Sequence, residues 1–315
     1  MPSLEALIQS RHEVVAVVSQ PDRGRGRGRK LSPSPVAACA LEEDIPLLRP
    51  ERVGDPDVLD ALREHAPDVG VVVAFGQFLG RKLRELPSLG YMINAHASLL
   101  PRHRGASPIA QAILDDEAET GISIMRVERE MDAGAVGYVR RIEIGEQENS
   151  AELAERLSNL AAESILEALD LIVSEEIKWT EQDHDRSTLA PKLSKEDGRL
   201  DWRLPTRTLI RRIHGLAPRP GAFTLLPAGE SSEESPLRIL RAAPGMDPAG
   251  ERRPPGTLIR PESAPDTLQI ATGDGWLAPL EVQKAGAKAM PTEAFLRGTP
   301  LQDGLRLDTP ETPHD

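Results

Sequence analysis

The sequence has very little cysteine and few aromatic residues. Among its 315 residues it contains one cysteine, Cys39, and only 3% of its residues are aromatic. A single thiol excludes a disulfide framework and is typical of a protein from a reducing compartment. The hydrophobic content of 39% still provides for substantial cores. Because aromatic side chains are scarce, these cores must consist mainly of valine, leucine, isoleucine and alanine.

Membrane-directing segments are also missing. The sequence contains no signal peptide and no apolar run long enough to cross a bilayer. We therefore expect a cytoplasmic protein without a membrane partner. The length favours two domains. The formal net charge of −12 opposes non-specific attraction to nucleic acid, so any RNA contact must come from a local basic patch.

One such patch is present near the N-terminus. Five cations fall within eight residues: Arg23, Arg25, Arg27, Arg29 and Lys30. The intervening glycines give no preference for helix or strand. No Gly-Lys-Ser/Thr follows, so the stretch is not a Walker loop. An isolated run of this kind is usually a solvated loop.

The polar stretch Asn94 to Gly105 is the centre of the sequence. It follows an apolar piece, Tyr91 to Ile93, that is typical of a buried strand. Side chains alternate along a strand, so Asn94 and His96 should point to the same side. A proline and a basic loop then precede a helical run. Polar side chains at the end of a strand are the usual layout of an α/β active site.

The rest of the chain alternates helical and strand patterns as far as residue 144, which predicts a doubly wound α/β sheet. Within it, the apolar run Val69 to Phe75 predicts a fully buried parallel strand. A long helix, Ala151 to Val173, with Ser150 as its N-cap, precedes a polar linker. Short strand patterns separated by turns then predict a small β-barrel. The predicted parts are residues 1–182, a linker at 183–203 and the barrel at 204–315.

Together these motifs resemble the folate-dependent formyltransferases. The likeness rests on Asn-x-His followed by Ser-Leu-Leu-Pro-x-x-Arg-Gly, on Thr120-Gly121 and on Met131-Asp132-Ala133-Gly134. It extends nearly from end to end, with supporting blocks such as Ala190-Pro191-Lys192, Asp201-Trp202 and Pro220-Gly221-Ala222. Taken singly, an Asn, a His or an Asp at such positions is usually a cap, a structural group or a turn former. Their joint match to an ordered pattern favours the functional interpretation.

The resemblance implies a Rossmann-like formyltransferase domain followed by an OB-like barrel. It also implies roles for particular residues. Asn94 would stabilise the oxyanion, His96 would donate to the same oxygen or move a proton, and Asp132 would orient His96 and accept a proton. The residues expected to bind the cofactor are Phe75, Gly76, Gln77, Phe78, Leu79, Ser98, Leu99, Leu100 and Pro101. The basic loop would contact tRNA phosphates.

Other polar residues carry weaker expectations. His103 is expected at the surface. Arg102 and Arg104 could contact acceptor-end phosphates, although a solvated loop explains them equally well. The remaining histidines lack metal-ligand spacing, so no metal is predicted.

The reaction implied by the resemblance is transfer of a formyl group from 10-formyltetrahydrofolate to the amino group of methionine on initiator tRNA, by a monomer. The alternatives are formylation of an amino-sugar nucleotide or of glycinamide ribonucleotide, hydrolysis of formyltetrahydrofolate, and an inactive RNA-binding fragment. In the family a first strand and a Gly-Thr-Pro turn precede the helix at Leu4 to Gln9, whereas here only Met1-Pro2-Ser3 does. A mis-chosen start codon or a fragment is the expected explanation, and the chain as written is expected to aggregate and to be inactive when expressed alone.

Overall fold

The computed structural model of the protein describes residues 1–25, 30–226, 235–246, 253–299 and 301–310. Contacts between residues divide the chain into two compact units. Unit 1 comprises Met1–Gly105, Thr120–Ile142 and Glu155–Ala190, and unit 2 comprises Ala106–Glu119, Glu143–Ala154 and Pro191–Asp315. Each unit therefore consists of segments that are distant in the sequence.

The secondary structure alternates as far as the long helix and becomes strand-rich after it. The elements up to the long helix are α1 Pro2–Ile8, β1 Val17–Val18, β2 Arg23–Arg25, β3 Lys30–Ser32, α2 Pro35–Glu42, β4 Leu47–Leu48, α3 Pro56–Glu64, β5 Gly70–Val72, α4 Arg81–Arg84, β6 Met92–His96, β7 Arg104–Gly105, α5 Pro108–Leu114, β8 Glu119–Arg126, β9 Val136–Glu143 and α6 Ser150–Val173. The later elements are a 3₁₀ turn His184–Arg186, β10 Leu189–Ala190, a 3₁₀ turn Glu196–Gly198, α7 Thr206–Leu216, β11 Ala222–Leu226, β12 Ser235–Pro244, β13 Leu258–Ile259, β14 Gln269–Ala271, β15 Trp276–Lys284, β16 Met290–Pro291 and α8 Thr292–Gly298. Within the described ranges, no helix combines the length and apolar character needed to cross a membrane.

Unit 1 contains a four-stranded sheet in the order β5-β6-β8-β9. β5 runs parallel to β6, and β6 runs antiparallel to β8. A separate parallel pair joins β1 to β4. Leucines of α3 and α4 pack together in an apolar core against which Val72 and Met92 also pack. This alternation of helices with parallel and antiparallel strands confirms the predicted α/β, Rossmann-like class.

The run Val69 to Phe75 was predicted to be a fully buried strand, and this prediction was wrong. Only Gly70–Val72 form the strand, and all three residues are half-buried. Val73 is 43% exposed. Among the described residues β5 has one hydrogen-bonded neighbour, β6, and its other edge is not paired with a strand. A strand that is covered on one edge only leaves part of its apolar surface accessible.

Two local predictions also need correction. The basic stretch was expected to have no preferred structure, but Arg23–Arg25 pairs antiparallel with Lys30–Ser32. Cross-strand hydrogen bonds outweigh the weak local propensity of glycine there. The cap of α6 is Asn149 rather than Ser150. The Asn149 side chain accepts hydrogen bonds from the N–H groups of Ala151 and Glu152, while the Glu152 carboxylate accepts from the N–H of Asn149, which completes a capping box.

Unit 2 contains a mainly antiparallel sheet in the order β11-β12-β15-β14-β13, with β16 beside β15. α7 and α8 contribute Leu209, Ile213 and Phe295 to a core that also contains Trp202. In the part of the chain that the structure describes, β13 and β11 do not pair, so the sheet is not closed. The strand-rich C-terminal region is confirmed, whereas the closed OB-like barrel is not.

Candidate active site

β6 positions two of the three predicted catalytic side chains. Asn94 and His96 both belong to this five-residue strand, two residues apart, so they lie on the same face. Asn94 is opposite Val72 in β5 and Met125 in β8, which places it in the interior of the sheet. It is half-buried, and His96 is only 5% exposed. The sheet therefore fixes Asn94 on two sides, whereas His96 is paired with Ser123 of β8 on one side.

His96 lies between a carbonyl group and a carboxylate. Its Nε2 is 2.9 Å from the carbonyl oxygen of His103, and its Nδ1 is 3.6 Å from Oδ2 of Asp132. Because a carbonyl oxygen can only accept, Nε2 carries the hydrogen of this bond. In the neutral ring Nδ1 is then an acceptor that faces another acceptor. Nδ1 of His96 and Oδ2 of Asp132 are thus two proton-accepting atoms that face each other.

Asp132 occupies the loop between β8 and β9. Its backbone is in the left-handed region, with φ of 51°. The N–H of Gly105 donates to Oδ2 at 2.9 Å. Gly105 is required there, because its φ is +126° and a Cβ would lie 2.6 Å from the carbonyl oxygen of Ala190. A backbone donor thus aims the carboxylate at His96.

The Ser98–Pro101 loop is built by hydrogen bonds to its own chain. Ser98 is fully buried, and its Oγ donates to the carbonyl of Arg102 at 2.6 Å. Ser123 Oγ donates to the carbonyl of Ser98 and accepts from the N–H of Leu100. Leu99, Leu100 and Pro101 are half-buried, and the Leu100–Pro101 peptide is cis. The hydroxyl of Ser98 is thus used to shape the loop, and the next three residues form its accessible surface.

The Phe75–Leu79 segment is anchored in a similar way. The carbonyl of Phe75 accepts from the Gln20 amide at 2.7 Å. The Gln77 side chain accepts from the N–H of Val53 at 2.9 Å and donates to the carbonyl of Pro50 at 3.3 Å. Leu79 is buried in the core of unit 1, whereas Phe78 is 75% exposed. Phe78 therefore presents the large accessible apolar surface of this segment.

Two expectations about the basic loop after Pro101 were wrong. His103 was expected at the surface, but it is 4% exposed, and its N–H donates to Thr188 Oγ1. Arg104 was considered for phosphate contact, but it is 6% exposed and its guanidinium bonds to Gln182 and His184. The reason is that β7 pairs with β10, more than 80 residues away, and the residues just before β10 supply hydrogen-bond partners for both residues. Sequence proximity could not indicate this pairing.

The predicted RNA-contact residues fall partly outside the described part of the chain. Arg23, Arg25 and Lys30 belong to the strands of the β2–β3 hairpin. Arg27 and Arg29 lie outside the described residues. The absence of a metal site stays a prediction.

Two residues of the site were missed by sequence reasoning. Ser123 lies in β8 and is fully buried beneath the Ser98–Pro101 loop. Gln182 lies after α6 and is 7% exposed, with both amide atoms bonded around Asp132. Neither belongs to a motif, because a serine in a strand or a glutamine before a polar linker has no distinctive spacing. Only the tertiary fold brings them to the site.

Comparison with known proteins places this site in a family. The sequence profile of the formyl transferase family matches residues 2–169, and that of the formyl transferase C-terminal domain matches residues 192–300. The chain therefore belongs to the formyl transferase family, a family of one-carbon group transferases. Among its relatives, the methionyl-tRNA formyltransferase of Geobacter sulfurreducens is 42% identical over 306 residues, which is 97% of this chain and 92% of the relative. The methionyl-tRNA formyltransferase of Chloroflexus aurantiacus is 38% identical over 97% of this chain and 95% of its own.

Solved structures support the same fold. WlaRD, a sugar 3N-formyl transferase solved with dTDP and 5-N-formyl-THF, superposes with a TM-score of 0.62 at 16% identity, over 91% of this chain and 94% of its own. HypX from Aquifex aeolicus in complex with tetrahydrofolic acid superposes with a TM-score of 0.55 at 22% identity, over 81% of this chain. This chain spans 43% of HypX. At these identities the likeness shows the fold alone.

Proposed function

We propose that this chain transfers a formyl group from 10-formyltetrahydrofolate to the amino group of methionine on initiator methionyl-tRNA. The observation that carries the proposal is its nearly full-length likeness, at 38–42% identity, to relatives of that name. The identity to a solved sugar formyltransferase is far lower, at 16%. We further propose that it acts as a monomer in the cytoplasm.

The chemistry requires an oxyanion partner and a proton acceptor. The methionine amine nitrogen attacks the formyl carbon, and the new C–N bond produces a tetrahedral intermediate whose oxygen carries negative charge. The Asn94 amide donates to that oxygen. The attacking nitrogen loses its proton towards Asp132 and Nδ1 of His96, the ring nitrogen that faces the carboxylate at 3.6 Å. The bond from the formyl carbon to N10 of the folate then breaks, and N10 takes up a proton.

Two segments of unit 1 would bind the folate. Leu99 to Pro101 offer a partly accessible apolar surface on a loop that Ser123 fixes. Phe78, 75% exposed, offers a ring for stacking against a planar pterin. Gln77 and Ser98 use their side chains to anchor these segments, so we propose that they contribute by shaping the site.

The tRNA would be bound by the cations of the 23–30 stretch and by the C-terminal region. In a chain of net charge −12, a cluster of five cations is a distinctive place for phosphate contacts. We propose residues 1–182 as the catalytic part and residues 204–315 as the part that adds tRNA affinity, joined by 183–203.

The test compares acceptors at a fixed concentration of 10-formyltetrahydrofolate. Initiator methionyl-tRNA should be formylated, whereas a dTDP-linked amino sugar should not. Arg27→Ala should weaken the use of tRNA and lower its salt dependence, because fewer counterions are released on binding. Arg63→Ala, at an exposed position on α3, is the matched control. Preference for the sugar nucleotide would refute the proposed acceptor, and equal effects of the two arginine variants would refute a specific role for the basic stretch.

A further inference from the structure

Gln182 is a buried amide that uses both of its polar atoms next to Asp132. Its side chain is 7% exposed. The Nε2 group donates to the carbonyl oxygens of Asp132 at 2.8 Å and Gly134 at 2.7 Å. The Oε1 atom accepts two hydrogen bonds from Arg104, from Nε at 3.0 Å and from Nη2 at 2.7 Å. All four bonds are of normal length, so this amide is fully satisfied.

These bonds close a ring around the Asp132 carboxylate. Gln182 bonds to the backbone of the turn that carries Asp132. Oδ2 of Asp132 accepts from the N–H of Gly105, and Gly105 follows Arg104, which returns to Gln182. Gln182 therefore bonds both to the turn that presents the carboxylate and to the strand that donates to it. Displacement of either one would change the 3.6 Å approach of Asp132 to Nδ1 of His96.

The turn itself has little other freedom. Asp132 adopts a φ of 51°, a conformation that non-glycine residues rarely keep without support. At Gly134 a Cβ would collide with the carbonyl oxygen of Arg126, so the backbone lies directly against β8. The carbonyl groups of Asp132 and Gly134 both accept hydrogen bonds from Gln182. A carboxylate at position 182 could accept from Arg104 but could not donate to these carbonyls, so an amide suits both sides.

We propose that Gln182 is a positioning residue for formyl transfer, which acts on the reaction only through the placement of Asp132. This inference rests on the proposed function, because it takes Asp132 to be the proton acceptor. If Gln182 had a purely structural role, its substitution would lower stability and would change turnover to the same extent with or without the Asp132 carboxylate. A positioning Gln182 would lose its effect on turnover once the carboxylate is removed.

The experiment is a double-mutant cycle on the full chain, measured by steady-state and single-turnover formylation of initiator methionyl-tRNA. Gln182→Glu keeps an acceptor for Arg104 and removes the donors to the Asp132 turn. We expect its kcat to fall roughly 10- to 100-fold, as for other supporting residues of catalytic groups. Its KM for 10-formyltetrahydrofolate should change less than about two-fold, because the lost contact acts in the transition state. In the Asp132→Asn background the same change should alter turnover by less than about two-fold.

Ile165→Val provides a matched control for lost stability. Ile165 is fully buried in α6 of unit 1, and its side chain has no polar group that could hydrogen-bond to the Asp132 turn. Its effect on turnover should therefore multiply with the effect of Asp132→Asn. If Gln182→Glu prevents folding, Arg104→Lys probes the ring from its other side and should show the same dependence on Asp132. If the effects of Gln182→Glu and Arg104→Lys on turnover each multiply with the effect of Asp132→Asn, the inference is overturned and the proposed function stays intact. Normal turnover of Asp132→Asn would instead overturn the proposed mechanism and the inference with it.

Discussion

His96 in unit 1 and His214 in unit 2 are almost equally buried but have opposite surroundings. His96 is 5% exposed and His214 is fully buried. His96 faces the Asp132 carboxylate and donates to a carbonyl oxygen. His214 lies on α7 and accepts a hydrogen bond from the N–H of Ala242 at 3.3 Å. Among the described residues its Nδ1 has no hydrogen-bond partner.

The charges around His214 explain its behaviour. Burial, followed by the neighbouring cations Arg241 and Arg211, lowers the pKa of His214 to about 4. Glu152, which bonds to Arg241, opposes this shift only partly. His214 is therefore a neutral part of the packing between α7 and β12. Burial alone does not give a histidine a role in proton transfer. The two residues differ in the sign of the nearest charge, which is negative beside His96 and positive beside His214.

Removing the carboxylate beside His96 should have the largest effect. Asp132→Asn is expected to lower formylation by about 10³-fold, because general acid–base catalysis contributes about 10²–10⁴-fold. Folate and tRNA affinity should change little. Single-turnover rates and ligand titrations measure the two quantities separately. Asp60→Asn, at an exposed site on α3, is the control, and a near-normal rate for Asp132→Asn would exclude this carboxylate from the reaction.

Acid should destabilise unit 2 through His214. A base whose folded-state pKa is lowered is neutral in the fold, whereas the unfolded chain takes up a proton below about 6.5. The stability that neutral His214 contributes is thus fully present above about pH 6.5. It is lost as the pH falls towards the folded-state pKa of about 4. The loss should reach about 3 kcal/mol, at about 1.4 kcal/mol per pKa unit.

Urea unfolding from pH 7 to pH 4 measures this loss. In a Trp179→Phe background the remaining tryptophans, Trp202 and Trp276, both belong to unit 2 and report its unfolding. His214→Gln cannot titrate and should flatten the pH dependence over this range. An unchanged pH dependence in His214→Gln would show that other groups cause the acid sensitivity.

A change at Gly105 should disturb the His96 site without removing any functional side chain. Gly105→Ala places a methyl group against the Ala190 carbonyl at a φ of +126°. We expect a loss of about 1–3 kcal/mol in stability. Formylation should fall as well, because the N–H donor to Asp132 moves. Gly90→Ala is the control, since its φ is +74° and no atom lies within 4 Å of the added Cβ. Equal rates in the two variants would show that the Gly105 donor does not aim the carboxylate.

The smallest expected effect concerns how much the neighbouring cations contribute to the lowered pKa of His214. Arg241→Met should raise the pKa of His214, but the pKa should stay below 6.5, because burial is the larger cause. NMR titration of the imidazole measures this change. Arg238→Met, in the same strand but not among the groups that act on His214, should leave the pKa in place. A return to the ordinary value in Arg241→Met would make charge the dominant cause.

Contiguous motifs made much of the site predictable. Asn94 and His96 lie two residues apart in one strand, and Asp132 lies in a turn marked by Ala-Gly, so local patterns located all three. The structure brings His96 and Asp132 to 3.6 Å, although their roles stay predictions. The long helix α6, predicted at Ala151 to Val173 and found at Ser150–Val173, was also predictable, because its apolar spacing is a local property.

Features that depend on distant partners could not be predicted in this way. Arg104 is buried where β7 pairs with β10 and its guanidinium bonds to Gln182 and His184, and Gln182 reaches Asp132 across 50 residues of sequence. Val73 is exposed next to a strand, β5, that has only one strand neighbour among the described residues, and the apolar pattern of the run cannot show this. The hairpin at Arg23–Arg25 likewise depends on cross-strand pairing that overrides local propensity.

The segmented make-up of unit 2 has a consequence for gene fusion and recombination. α5 lies in the sequence between two segments of unit 1, yet it packs against α7, and Asp116 just after it pairs with Arg207 and Arg211. A crossover near residue 190 would transplant α7 without the helix and carboxylate that cover it. Exchange of the C-terminal region between relatives should therefore succeed only when both sides of the α5–α7 contact come from the same parent.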